Sequence, residues 1–313
     1  MQDILKSNTP AFVFDTAALK KRVAQIKEIV GETVSLCYSM KANPFFVPAM
    51  ITCVDKLEVC SPGELTICKK LGVDASRIIY SGVNKEIPDI KEAYEYGVGT
   101  FTGESVRQAD LIQQVVETAA AGEKAEVILR LNSGSQFGMS KEDLLTILQC
   151  RESKYTSLNF TGIHYFVGTQ RKRAKRKIKE LQMLLELFEE IQNKYGLKLK
   201  KLEYGPGFAV PYFEDDDFED TLYPVKELKD TLKQVAQQVD LTIEMGRFFT
   251  AECGTYYTNV ADLKTVGNAH YCILDGGMNH LTYLGQMMGM KTPIIKHHKN
   301  TSKQDERPEK NTW

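Results

Sequence analysis

The chain has no apolar stretch near the roughly 18 residues that a membrane-spanning helix needs. Its opening, MQDILKSNTPAF, lacks the basic, apolar and small-residue blocks of a secretory leader. No C-x-x-C pair occurs among the seven cysteines, at 37, 53, 60, 68, 150, 253 and 272. An odd number without metal-type spacing argues against a disulfide framework or a zinc site, and for free thiols in a reducing, cytoplasmic setting. Neither charge is in excess: 40 Lys and Arg stand against 41 Asp and Glu, so the net field draws the chain to no nucleic acid. Core material is not short. Hydrophobic residues make up 42 % of the 313, enough for one large domain or two modest ones.

What is present is alternation. DTAALKKRVAQIKEIVG puts Leu19, Val23, Ile26 and Val30 on one helical face, with Asp15 to start it and Gly31 to end it. Eight apolar or β-branched runs cover 34–41, 56–61, 77–83, 98–102, 126–132, 158–167, 201–206 and 241–246, with helical patterns between them. Strands separated by helices run parallel, and eight such units predict a (β/α)8 TIM barrel over 9–247. An open doubly wound sheet uses similar units. After Gly246 the pattern turns to short strands without a long helix, which predicts an incomplete C-terminal β domain over 248–295 with open edges. The last segment, KHHKNTSKQDERPEKNTW (296–313), is polar and is expected to be a disordered tail. His297 and His298 within it are too isolated for a metal site.

Residues unusual for strands gather at the ends of these runs. Lys41 closes the first. Glu58 and Ser61 lie on the second, Arg130 and Asn132 at the end of the fifth, and His164, Phe166 and Gly168 at the end of the sixth. Gly205-Pro206-Gly207 ends the seventh, and Glu244-Met245-Gly246-Arg247 the eighth. These are carboxyl ends, the barrel face that carries active sites. Each glycine pair alone reads as a turn. On neighbouring last strands, with Arg247 beside them, they suggest a phosphate seat. An amine, an anion cup and a carboxylate beside it are the three things pyridoxal phosphate requires.

At these residues the chain resembles the fold-type III pyridoxal-phosphate decarboxylases, the group of diaminopimelate, ornithine and arginine decarboxylases. The resemblance runs from about residue 9 to 285 and rests on TPAFVFD, CYSMKAN, LEVCSPGEL, GIHYFVGTQ, EYGPGFAVPY, EMGRFF and LDGGMNHL, in the family's order. It implies Lys41 as the Schiff-base residue, Glu58 near it, Glu244 on the pyridine nitrogen, Gly205, Gly207, Gly246 and Arg247 around the phosphate, and Arg130 and His164 at the cofactor. It implies a cytoplasmic homodimer acting on a basic, unusual or carrier-linked amino acid, with no metal, nucleic-acid or membrane partner.

The departures narrow this. Phe166 stands where the family has a histidine that stacks on the cofactor ring; it can stack but cannot hydrogen-bond. Thr169 replaces a serine and keeps the hydroxyl. After Asp275-Gly-Gly the chain reads Met-Asn-His280-Leu-Thr-Tyr283, without the arginine that diaminopimelate enzymes carry. RLNSGSQFGM, GIHYFVGTQ and GPGFAVPY look more like members that act on unusual or carrier-linked amino acids. Relatives extend about a hundred residues further, through a Cys-Asp motif and a tyrosine, so the chain resembles a truncated or frame-shifted member. Three readings stay open: an active decarboxylase, a cofactor-binding but catalytically impaired relic or regulator, and a racemase. The family's racemases place arginine where Glu244 stands, which favours decarboxylation. The basic run RKRAKRK (171–177) opens the longest helical pattern. It reads as a solvated face, or as a docking surface for an acidic partner such as a carrier protein.

Overall fold

The computed structural model describes residues 9–119, 123–216, 218–282 and 289–297. In chain order the elements are β1 (Ala11–Phe14), α1 (Thr16–Val30), β2 (Ser35–Ser39), α2 (Val47–Met50), β3 (Lys56–Val59), α3 (Pro62–Lys70), β4 (Ile78–Tyr80), α4 (Ile87–Tyr96), β5 (Thr100–Gly103), α5 (Val106–Thr118), β6 (Ala125–Arg130), α6 (Lys141–Gln149), β7 (Leu158–Phe166), α7 (Ala174–Tyr195), β8 (Lys201–Gly205), α8 (Tyr223–Ala236), β9 (Asp240–Met245), α9 (Arg247–Thr250), β10 (Gly254–Tyr257), β11 (Val260–Val266) and β12 (Ala269–Leu274).

Strands β2 to β9 close into a barrel in sequence order, and every neighbouring pair is parallel. This is the expected (β/α)8 architecture, and each of the eight predicted runs supplies one strand. The barrel lies in the unit Thr16–Val210 plus Asp220–Glu252. Leu19, Val23, Ile26 and Val30 of α1 are all buried, and Gly31 ends that helix with a left-handed φ of 86°. Ser61 is not on a strand: its hydroxyl accepts from Glu64 N at 3.2 Å and caps α3.

Side chains alternate between two buried faces. One set, including Leu36, Tyr38, Leu57, Val59, Ile163, Leu202 and Ile243, is wholly apolar and packs outward under the helices. The alternate set holds Cys37, Ile79 and Ile128 in one apolar cluster. It also carries polar residues: Ser39, Glu58, Ser81, Thr102, His164, Glu203 and Glu244 are all buried. Barrel interiors are ordinarily filled by branched aliphatic residues, so this polar stack marks where chemistry replaces packing.

The second unit holds the rest of the chain. In it β1 pairs antiparallel with β10, Ala11 opposite Tyr257 and Phe14 opposite Gly254. Strands β11 and β12 form a hairpin whose residues are all exposed. The β portion expected after residue 247 is therefore present. Strand β1 was not foreseen. Of the polar tail, residues 298–313 lie outside the described residues. None of the seven cysteines is in a disulfide; Cys37, Cys68 and Cys253 are buried, and Cys272 is exposed.

Candidate active site

Lys41 sits in the single helical turn Met40–Ala42 that follows β2. The turn lies directly against the end of β9. A Cβ on Gly246 would come within 2.7 Å of Ala42 Cβ and 3.1 Å of Ser39 O. Gly246 is thus required by packing alone: it lets the strand bearing Glu244 approach the turn bearing Lys41.

The Lys41 ammonium donates to Glu58 Oε2 at 2.8 Å and to Glu244 Oε1 at 3.2 Å. Glu58 also accepts from the Ser39 hydroxyl. The other oxygen of Glu244 meets His164 Nε2 at 3.2 Å. Ser39, Glu58, Lys41, Glu244 and His164 thus form one chain across four strands and the turn. Burial draws the Lys41 amine down, but the two carboxylates outweigh it and hold the ammonium well above the ordinary lysine range. Burial likewise raises Glu244, and Lys41 and His164 overcome it, leaving that carboxyl well below its usual range. Ligand atoms of Glu58, His164 and Glu244 come within 4.8 Å of one another, close enough for a metal ion. The cation those two carboxylates hold is the chain's own Lys41.

Phe166 closes one side, its ring centroid 5.5 Å from Lys41 Nζ. Gly205 lies beneath: a Cβ there would collide with the Phe166 ring and come within 3.3 Å of Glu244 Oε2. Gly207 has a left-handed φ of 58°, and a Cβ on it would collide with the Gly168 carbonyl. Only glycine lets the loops after β7 and β8 lie this close. Those loops are also zipped together. Arg171 N donates to Gly207 O at 2.9 Å. Gln170, at a positive φ of 56°, donates to Val210 O at 2.8 Å and accepts from Val210 N at 2.9 Å. Gly207→Ala is expected to lower stability by about 2–3 kcal/mol, from left-handed strain and overpacking together. It should also weaken binding of a phosphorylated cofactor. Urea unfolding and a cofactor titration would check both.

The other predicted residues are placed as follows. Arg247 opens α9, immediately after Gly246. Thr169 is exposed in the loop after β7. Arg130 pairs with Glu104 at 3.2 Å and lies over the Phe137 ring, so its charge is already matched on the neighbouring strand side. The basic run divides. Arg171 pairs with Glu180, which also accepts from Tyr204 at 2.7 Å. Lys177 is buried and donates to Arg171 O at 2.7 Å. Those two are structural, which corrects the reading of the run as a solvated face. Lys172, Arg173, Lys175 and Arg176 are exposed.

Sequence reasoning passed over Glu203. It is on β8, opposite His164 in the β7–β8 ladder, and 2 % exposed. Burial, with Glu58 and Glu244 adding to it against the pull of His164, pushes its carboxyl from 4.5 up to about 7. A carboxyl raised in the folded state favours the fold while protonated. That contribution is whole below the unfolded value and is lost as pH rises through the folded one. Glu203→Gln should therefore be more stable than the parent at pH 8, by as much as about 3 kcal/mol, with little difference at pH 4.5. Urea unfolding at the two pH values measures this; a difference that does not change with pH would refute it.

Comparisons with known proteins identify the family and the fold. Residues 16–251 match the family profile described as "Pyridoxal-dependent decarboxylase, pyridoxal binding domain". The chain is 27 % identical to the L-glutamyl-[BtrI acyl-carrier protein] decarboxylase of Niallia circulans, over 91 % of this chain and 72 % of that one. It is also 27 % identical to the diaminopimelate decarboxylase of Aquifex aeolicus, over 87 % and 67 %. Among solved structures, SrLDC in complex with PLP and cadaverine superposes with a TM-score of 0.81 at 25 % identity, covering 93 % of this chain and 74 % of that one. AQ1208 from Aquifex aeolicus gives 0.78 at 26 % identity, covering 89 % and 68 %. No described helix is long and apolar enough to cross a membrane.

Proposed function

We propose a function from one premise: the chain belongs to the pyridoxal-dependent decarboxylase family, whose pyridoxal-binding domain it carries. On this reading it is a pyridoxal-phosphate-dependent amino-acid decarboxylase. The observation that carries the reading is the Lys41–Glu244 contact at 3.2 Å beside the Gly205 and Gly207 cradle.

The residues present fit the cofactor by their chemistry. The set offers a lysine amine, a carboxylate kept ionised, an aromatic face and close-packed glycines on the two last strands. Lys41 holds the aldehyde, Glu244 the ring nitrogen, Phe166 one ring face, and Gly205, Gly207, Gly246, Thr169 and Arg247 the phosphate. Arg130 and His164 complete the surround, Arg130 through Glu104. Bound pyridoxal phosphate supplies an aldehyde for the substrate amine and a protonated ring that accepts the electron pair left when carbon dioxide departs.

The chain's own residues do the rest. Lys41 would have to leave Glu244 to hold the cofactor's aldehyde while Glu244 holds its ring nitrogen, and its side chain, 46 % exposed, has room to swing. It must also give up its proton, so it reacts only once it is drawn off Glu244 and deprotonated. Glu58, fixed by Ser39, is the carboxylate that stays beside it and can take that proton. Glu244 holds the proton at the ring nitrogen.

For the substrate we favour a carrier-linked or otherwise unusual amino acid. The Niallia circulans relative is named for a carrier-linked glutamyl group. Asp275-Gly276-Gly277 is followed by no arginine to bind a free distal carboxylate. The exposed cations Lys172, Arg173, Lys175 and Arg176 stand at the start of α7, at the carboxyl end of β7. A homodimer in the cytoplasm is the assembly and setting we propose. The test is to add pyridoxal phosphate, reduce with borohydride, map the modified peptide, and measure carbon dioxide from free and tethered amino acids. An adduct at a lysine other than 41 would overturn the reading. Loss of substrate chirality without carbon dioxide would make the chain a racemase, and a stable adduct with neither would make it an inactive binder.

A further inference from the structure

The barrel unit buries several ionisable side chains outside the Lys41 cluster, and most have an evident structural task. Arg22 donates to Phe248 O at 2.7 Å and pairs with Glu252 at 3.0 Å. Lys85 donates to Gly82 O, Thr102 O and Gln108 Oε1 at 2.6, 2.9 and 3.0 Å. Lys177 donates to Arg171 O. Glu203 differs. Both of its oxygens are buried without a hydrogen-bond partner among the described residues, and so is Nδ1 of His164. These two residues are register partners on adjacent strands, their backbones joined in the same ladder. Two unmatched groups of complementary chemistry, a carboxyl and an imidazole edge, therefore sit at one register position of neighbouring strands. The free-energy cost of burying Glu203 secures no structural bond.

The other nitrogen of that imidazole is the one that meets Glu244. Two cations hold Glu244 ionised, Lys41 and His164. A lysine that binds a cofactor aldehyde no longer gives Glu244 its ammonium. His164 is then the remaining cation of the chain beside it.

We propose that Glu203 is a positioning residue that acts through His164: once ionised, its carboxylate, on the strand between those of His164 and Glu244, favours the protonated imidazole, and so keeps Glu244 charged when Lys41 is committed to a cofactor. The proposal rests on the reading of Lys41 and Glu244 given above and adds a role for a residue that reading leaves idle. Charge near His164 from every side is consistent with it. Burial draws the imidazole down, and the charge of Glu203 on β8 and the hydrogen bond and charge of Glu244 on β9 raise it past its ordinary value, against Arg130 on β6. Around Glu203 itself stand His164, Glu58 and Lys56 on β3, and Glu244.

The experiment is a histidine-labelled NMR titration of the full chain, parent against Glu203→Gln. With five histidines in the sequence, the His164 signal is assigned by its loss in His164→Gln. The expected result is a fall of the His164 midpoint by about one pH unit or more in Glu203→Gln. Glu203→Asp, which keeps the charge but draws it back, should give a smaller fall, and it stands in if the glutamine variant does not fold. In the cofactor-loaded protein, the pH midpoint of the visible band should move in Glu203→Gln as well. A folded Glu203→Gln with an unchanged His164 midpoint overturns the proposal. A moved His164 midpoint with an unmoved visible band overturns the link to Glu244. A parent chain that forms no borohydride-trapped adduct at Lys41 overturns instead the reading of the site on which the proposal rests, and the NMR titration distinguishes that failure from the others.

Discussion

Lys41→Ala is expected to abolish the borohydride-trapped cofactor adduct and to lower decarboxylation by on the order of a thousandfold or more, because a covalently held reactant becomes a freely diffusing one. The same variant should lose stability at neutral pH. Lys41 is the charge that faces both Glu58 and Glu244, and without it Glu58 keeps only the Ser39 hydroxyl and Glu244 only His164. Glu244 has its carboxyl depressed in the fold, so its stabilising contribution is present above the unfolded value and is lost as pH falls through the folded one. The deficit of Lys41→Ala should accordingly shrink as pH falls through the carboxylate range. Lys41→Arg separates the two effects. Its guanidinium keeps the charge but does not deprotonate, so it cannot react with an aldehyde. It should recover most of the stability and none of the adduct. Mass mapping of the reduced protein and urea unfolding at about pH 3.5 and pH 7 measure both. An adduct of normal yield in Lys41→Arg would remove Lys41 from the site.

The order and extent of the barrel strands could be read directly from the chain, because each of the eight runs is bounded by helical periodicity and by a change to polar residues. The pairing of Lys41 with Glu58 and Glu244 was legible only in part. Glu244 is 203 residues from Lys41 in sequence, and nothing local joins them. The closure of β9 onto β2, with Cys37 opposite Glu244, brings them together. What escaped had weak local signals. Ala11–Phe14 is too short to announce a strand, and only its pairing with β10 makes it one. Gln170 reads as one more polar loop residue until its positive φ and its two bonds to Val210 are known. Arg171 and Lys177 sit in a run whose composition is that of a solvated surface; Arg171 pairs with Glu180 further along α7, and Lys177 lies over the ring of Phe208, beyond β8. Glu203 precedes a glycine-rich loop that draws attention away from it. Its alternation phase alone, two residues before Gly205 on the same strand face, could have marked it as pointing inward.

Glu244→Gln should separate binding from turnover. The amide keeps the shape and loses the charge. In the cofactor-free protein, Lys41 then faces one carboxylate, Glu58, instead of two, so its proton leaves more readily and the adduct should form at least as well as in the parent. Decarboxylation should fall by roughly 10²–10³-fold, the range for removing one preorganised charge that acts on the transition state. A carboxamide cannot hold a proton on the ring nitrogen, and the electron pair left by departing carbon dioxide loses its sink. His164 loses a counter-charge at the same time, so its pKa should fall. Three measurements distinguish this outcome from simple misfolding: adduct yield after borohydride, single-turnover carbon dioxide release, and the His164 titration. An adduct of full yield with carbon dioxide release at the parent rate would mean that the charge of Glu244 serves the fold and not the reaction. A lost adduct with an unshifted His164 would mean that the contact at 3.2 Å does not couple the two residues. The expected result, retained adduct with slowed release and a fallen His164, follows only if one carboxylate serves both neighbours, the lysine before a cofactor binds and its ring nitrogen afterwards.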